Sequence, residues 1–239
     1  MSRFTPTESD ILTLSPRIHL LPILHGSGDI AREVRETLIA ARYDCLAVPL
    51  PPSVEAPLEQ AIEQLPLINL IVMPEPPDGE KASVSFVPVD PCQAVIMGIR
   101  VAMSEGISRA YIDRDVTRFT PLPFVGPDPY AVKSVSLPRL AAATLPSIPC
   151  PALDSQQARR VNWMAFRLHE LELDYESILC LCHFTDWPWI RSAYHGRAAY
   201  ERPETSVQRP VRCPVDQNSL YFALGELPFL TELYERRRA

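Results

Sequence analysis

Short apolar runs alternate with amphipathic stretches through most of this chain, and that alternation limits the folds open to it. The runs are Ile18–Leu24, Cys45–Leu50, Leu67–Pro74, Ser83–Val89, Ala110–Ile112 and Ser177–Phe184. Each has the length of a strand. Residues 30–42 place Ile30, Val34, Leu38 and Ala41 at helical spacing. Residues 55–65 and 154–173 repeat that pattern, the latter with Val161, Met164, Ala165, Leu168 and Leu171 on one stripe. The run LINLIVMP is apolar without a break, as expected of a strand covered on both faces. Strand and helix in alternation at short spacing predict an α/β fold, a mainly parallel central sheet flanked by helices.

The punctuation fits that frame. Gly26 and Gly28 supply a tight turn after the first strand, and Ser27 or Asp29 can cap the helix that follows. Asp90 followed by Pro91 reads as N-cap and N1 of a helix that runs to about Glu105, with Gly106 as its stop. Asp154 or Ser155 starts the long helix. The chain holds 26 prolines in 239 residues, roughly twice the usual frequency of about 5%, so the connections are stiff. Prolines concentrate in a Pro-rich insertion around 116–150, too apolar for a tether and expected to lie beside the sheet as a lid. PEPPDGEKA reads as a turn or an exposed loop, and residues 196–215 as polar and irregular. The expected organisation is one domain over 1–239, with a core of about 18–195 and a helical extension over 216–239. That extension keeps Phe222, Leu227, Phe229, Leu230 and Leu233, which raises the expectation that the chain is the N-terminal part of a longer protein.

A net charge of −6 argues against general nucleic-acid binding, which needs a basic footprint. The polar start MSRFTPTESD has no apolar signal region, and no apolar run reaches the ~18 residues of a membrane helix. A cytoplasmic protein without a membrane span is expected. The six cysteines form no CxxC pair. Cys180 and Cys182 would point to one face of a strand as buried thiols; a zinc site with His183 is the alternative, at a spacing unlike the usual knuckles.

The ends of the expected strands collect His25, Asp90, Asp113, Arg114, Asp115 and His183. In an open parallel sheet, sites form outside those carboxyl ends. Two histidines with carboxylates beside them suit a divalent metal that activates water. His25 and His183 are the candidate metal ligands, with Asp113, Arg114 and Asp90 as candidate catalytic groups. Simpler roles are also open: Asp90 as a helix cap, Asp113 and Arg114 as an internal ion pair, His183 as a packing histidine. The turn HGSGD could hold an anion at a helix N-terminus. It lacks GxGxxG spacing and a Walker lysine, and Ser27 lies outside a G-x-S-x-G elbow.

Five segments, LPILHGSGD (21–29), CLAVPLPPS (45–53), AVIMGIRVAMSEGISRAYIDRDV (94–116), RRVNWMAFRLHEL (159–171) and ILCLCHFTDW (178–187), together resemble the TraB/TIKI-like families of the erythromycin-esterase/ChaN-like superfamily. The resemblance covers most of residues 18–190. It implies an α/β core with a site fed by His25, Asp113, Arg114, Arg160 or Asn162, and His183. Members of the superfamily include metal-dependent proteases, an esterase and a haem-binding protein. The chain departs from the pattern at three places. Pro22 replaces the glycine of G-x-x-H, Pro49 stands where the second strand carries a glutamate, and Cys180 and Cys182 replace the glycines of G-x-G-H. Proline can be neither ligand nor base. Two functions follow as expectations: a diverged, non-catalytic module binding a small ligand or a partner protein, itself open to homo-oligomer formation, or a metal-dependent hydrolase using His25 and His183.

Overall fold

The computed structural model describes residues 10–78, 81–123, 125–203 and 207–238. Its elements in chain order are β1 (Thr13–Ser15), β2 (Ile18–Ile23), α1 (Gly28–Ala40), β3 (Cys45–Val48), α2 (Glu55–Ile62), β4 (Asn69–Asp78), β5 (Lys81–Val89), α3 (Ala94–Glu105), β6 (Ser108–Tyr111), α4 (Leu137–Thr144), α5 (Gln156–Asp174), β7 (Ile178–His183), α6 (Trp187–Gly196), β8 (Val211–Pro214), α7 (Leu220–Ala223) and α8 (Pro228–Arg238). A mostly parallel sheet has the order β1-β2-β7-β3-β6. Strands β2, β7, β3 and β6 run parallel, and the short β1 pairs antiparallel to β2. All of β3 and Ile178–Cys182 of β7 are buried, because helices flank the sheet. Contacts between helices join α1 to α3 and α5 to α6.

Local signals place the helices. Ser27 Oγ accepts the Ile30 N–H and starts α1; Ser155 Oγ accepts the Ala158 N–H and starts α5. Gly106 takes the left-handed conformation (φ 69°) that closes α3. Asp90 is a correction. Helix α3 begins at Ala94, and Asp90 does not cap it. Its Oδ1 accepts the Cys92 N–H at 2.8 Å, closing a turn ahead of the helix, while Oδ2 accepts the Gly225 N–H at 2.8 Å. Asp90 ties the C-terminal segment to the sheet.

The second correction is larger. Strands β4 and β5 stay out of the parallel sheet and form an antiparallel sheet of their own, in the order β5-β4-β8. Most of the stretch expected as a turn or an exposed loop is strand: β4 continues to Asp78 and β5 begins at Lys81. A connection that short cannot make a parallel crossover. Prolines fit there because β8 covers only Asn69–Val72 of β4. Pro74, Pro76 and Pro77 lie beyond that paired half, where a missing N–H costs no ladder bond to β8. Strand β8 itself falls in the segment expected to be irregular.

Residues 116–150 hold a 3-10 helix at Pro129–Lys133, helix α4 and a 3-10 turn at Leu145–Ser147. Val132, Leu137, Leu140, Leu145 and Ile148 are buried, so this part joins the core. Near its start, Arg118 Nη2 donates to the Pro76 carbonyl at 2.7 Å and holds the segment against the second sheet. Cys180 and Cys182 are fully buried free thiols, and burial pushes their pKa values up. No helix among the described residues is long and apolar enough to cross a membrane.

Candidate functional site

The carboxyl ends of β2, β3, β6 and β7 lie at one edge of the sheet. Ile23 is in register with His183, so the parallel pairing of β2 with β7 sets His25 beside it. The two imidazoles stack with ring centroids 5.2 Å apart and planes 17° apart. Gly26 turns the chain sharply after His25 with φ 71°, a conformation that glycine adopts without steric cost. The Gln93 side chain steadies this turn. Its Oε1 accepts the Gly26 N–H at 3.0 Å, and the same side chain hydrogen-bonds His25. The Thr185 N–H donates to Nδ1 of His183 at 3.3 Å, with the Thr185 hydroxyl 2.7 Å from the same nitrogen. An accepting Nδ1 leaves the proton of a neutral ring on Nε2.

Both histidines titrate far below the usual 6.5. Burial and then the His183 charge push His25 down to about 4; burial and then Arg160 push His183 down to about 4. His25 is solvent-exposed and opens on the recess, so the linkage to stability is carried by His183. In the unfolded chain the His183 ring takes up a proton near pH 6.5, and in the native protein it resists until about 4. This contribution to stability is therefore complete above pH 6.5 and is lost as the pH falls toward 4. A His183→Gln variant should lose less stability than wild type between pH 6.5 and 4 in urea titrations. Equal slopes for the two proteins would contradict the burial of this ring.

Asp113 is committed elsewhere. Arg160, on α5, clamps it with Nε at 3.0 and 3.1 Å from the two carboxylate oxygens and Nη2 at 2.5 Å from Oδ2. The Arg114 N–H adds a bond to Oδ1 at 2.7 Å. Both side chains are buried. The ion pair that orders the strand end is Asp113–Arg160, not Asp113–Arg114. Arg114 instead reaches Glu201, with Nη1 3.1 Å from its carbonyl and 3.5 Å from its carboxylate. Asp90 lies buried under the C-terminal segment with both oxygens in use. The structure thus brings His25 and His183 together, sets Asp113 and Arg114 on the wall of one recess with His25, and removes Asp90 from it.

That recess is a cavity of about 320 Å³, within the size range of small-molecule sites. It lies between the carboxyl edge of the parallel sheet and the second sheet. Leu50, Met73, Val87, Val95, Ile96 and Phe119 supply apolar wall; His25, Gln93, Asp113, Arg114, Asp115 and Arg160 supply the polar groups. Pro49, where the resembling families carry glutamate, also lines it, and His183 stands behind His25 outside the lining. No family model, curated protein or solved structure matches this chain. The resemblance therefore rests on its sequence motifs alone.

The donor set is short of what a metal asks. Among the described residues no group of three or more His, Cys, Asp or Glu side chains is placed to hold an ion. Protein sites for zinc use three or four such ligands. The cysteine alternative meets the same shortage. Gln93, Met73 and Ser85 line the site without any signal in the sequence reading. Gln93 sits in a loop before α3, and the other two come from the sheet that was not expected. Arg160 was visible only through the resemblance.

Proposed function

We propose that this chain is a diverged TraB/TIKI-like domain that binds a small molecule and does no chemistry on it. The observation that carries the reading is the cavity of about 320 Å³ at the carboxyl edge of the parallel sheet. Its walls are largely apolar with polar groups among them, the usual make-up of a ligand site. The groups a hydrolase would need are spent on structure: Asp113 is neutralised by Arg160, and proline occupies position 49. The second reading is a metal-dependent hydrolase that uses His25 and His183. Two adjacent imidazoles, neutral well below pH 7, favour it; the lack of a third donor counts against it.

The test is a nuclear magnetic resonance titration of the 15N-labelled protein with 2-phenylethanol. Saturable shifts at the amides of Ser85, Gln93 and Ile96 are expected, and a Ser85→Trp variant, which fills the cavity, should lose them. No saturable shift in wild type would sink the reading. Elemental mass spectrometry decides between the two readings. About one transition metal per chain, lost in the His25→Ala/His183→Ala double variant, would favour the hydrolase.

A further inference from the structure

The charges on the cavity wall do not all find partners within the protein. Four charged side chains line it: Asp113, Arg114, Asp115 and Arg160. Arg160 is bound to Asp113 through both carboxylate oxygens, and Arg114 pairs with Glu201. Both wall cations are thereby matched. Asp115 is left. It is half-buried, and among the described residues no lysine, arginine or histidine lies within ion-pair distance of it. Its support is neutral: the hydroxyl and the N–H of Ser53 donate to it. The other charge felt by Asp115 is that of Asp113, which repels it. The remaining hydrogen-bonding side chains of the wall besides His25, namely Ser53, Ser85, Gln93 and Gln208, are uncharged.

A carboxylate that is partly withdrawn from water and unmatched by any cation costs free energy. A ligand that brings the missing charge recovers part of that cost. We propose that the cavity takes a primary amine with an apolar body, its ammonium group paired with Asp115 and its body against Leu50, Met73, Val87 and Ile96. This rests on the ligand-binding reading above and gives it a chemical class. A ligand carboxylate would meet Asp115 with no unmatched cation to offset it. An alcohol would fill the apolar part alone.

Three ligands with the same phenylethyl body separate these cases: 2-phenylethylamine, 2-phenylethanol and 3-phenylpropanoate, titrated into the full chain at pH 7 and followed by amide shifts. The amine is expected to bind at least tenfold more tightly than the alcohol, and the carboxylate more weakly than both. In Asp115→Asn the amine should fall to the affinity that the same variant shows for the alcohol. Equal affinity of wild type for amine and alcohol, or an amine preference that survives in Asp115→Asn, would overturn the amine proposal and leave the cavity as a ligand site. Binding of none of the three would overturn both. The comparison on wild type stands even if the variant folds poorly.

Discussion

Replacing Asp113 by alanine should lower the unfolding free energy by about 3–5 kcal/mol, the cost of leaving one member of a buried ion pair alone. Whole domains are stable by only about 5–15 kcal/mol, so the loss would be plain in urea titrations. The magnitude follows from what remains. Arg160 is buried and would keep its charge, because a guanidinium is not deprotonated in proteins even without its partner. Removing Asp113 takes away the partner that accepts from both Nε and Nη2. The guanidinium must then draw in water or swing out, and either movement disturbs Phe119, whose ring lies 5.2 Å from the Arg160 carbon. Arg160→Met should be costly in the mirrored way, because Asp113 would stand unpaired. The double variant Asp113→Ala/Arg160→Met should recover much of the loss, since no charge is left unmatched. Purely additive single and double variants would show that the pair is not coupled. The same series bears on function, because both residues line the cavity and the second tethers its floor to α5.

This pair also shows where sequence reading stops. Asp113 and Arg160 are 47 residues apart, joined by no pattern or period. The resemblance to a known family offered Arg160 or Asn162 as contributors, but nothing local said that the carboxylate would be consumed by the arginine. The parallel strands were legible for a physical reason. With helices on both sides, β3 and β7 bury nearly every side chain, and uninterrupted apolar runs are the result. Caps at Ser27, Ser155 and Gly106 were legible because backbone donors and left-handed turns demand particular residue types. The second sheet was hidden by its own composition. Pro74, Pro76 and Pro77 read as strand breaks, yet they lie in the half of β4 that β8 leaves uncovered. Strand β8 is half-exposed, with Val211, Arg212 and Pro214 open to solvent, so it carries no apolar run to find. Missing that sheet meant missing one wall of the cavity, and with it Met73, Ser85 and Val87.

Gly225→Ala should detach the C-terminal segment from the glycine turn that aims His25. A Cβ on Gly225 would lie 2.2 Å from the Gly26 Cα and 2.9 Å from its carbonyl carbon, both backbone atoms that cannot rotate aside. Overpacking of this kind costs about 1–3 kcal/mol, and here the backbone must part to relieve it. Several bonds would go with the contact: Gly225 N–H to Asp90, Gly28 N–H to Glu226, and then the paired bonds of Arg100 to Glu235 on α8. Gly28→Ala acts on the same junction differently, since its Cβ would meet the Tyr234 ring at 2.3 Å. A ring can be removed, so Tyr234→Ala should rescue Gly28→Ala but not Gly225→Ala. Hydrogen exchange should quicken across residues 225–238 in Gly225→Ala and in the Gly28→Ala single variant. The effect should also reach the site. Gly26 holds Gln93, Gln93 holds His25, and loosening that turn frees the ring from the protein groups packed round it. The pKa of His25, followed by histidine resonances, should climb from about 4 toward 6.5 in Gly225→Ala. A His25 titration unchanged beside rapid exchange in the tail would show that the C-terminal segment covers the turn without holding it.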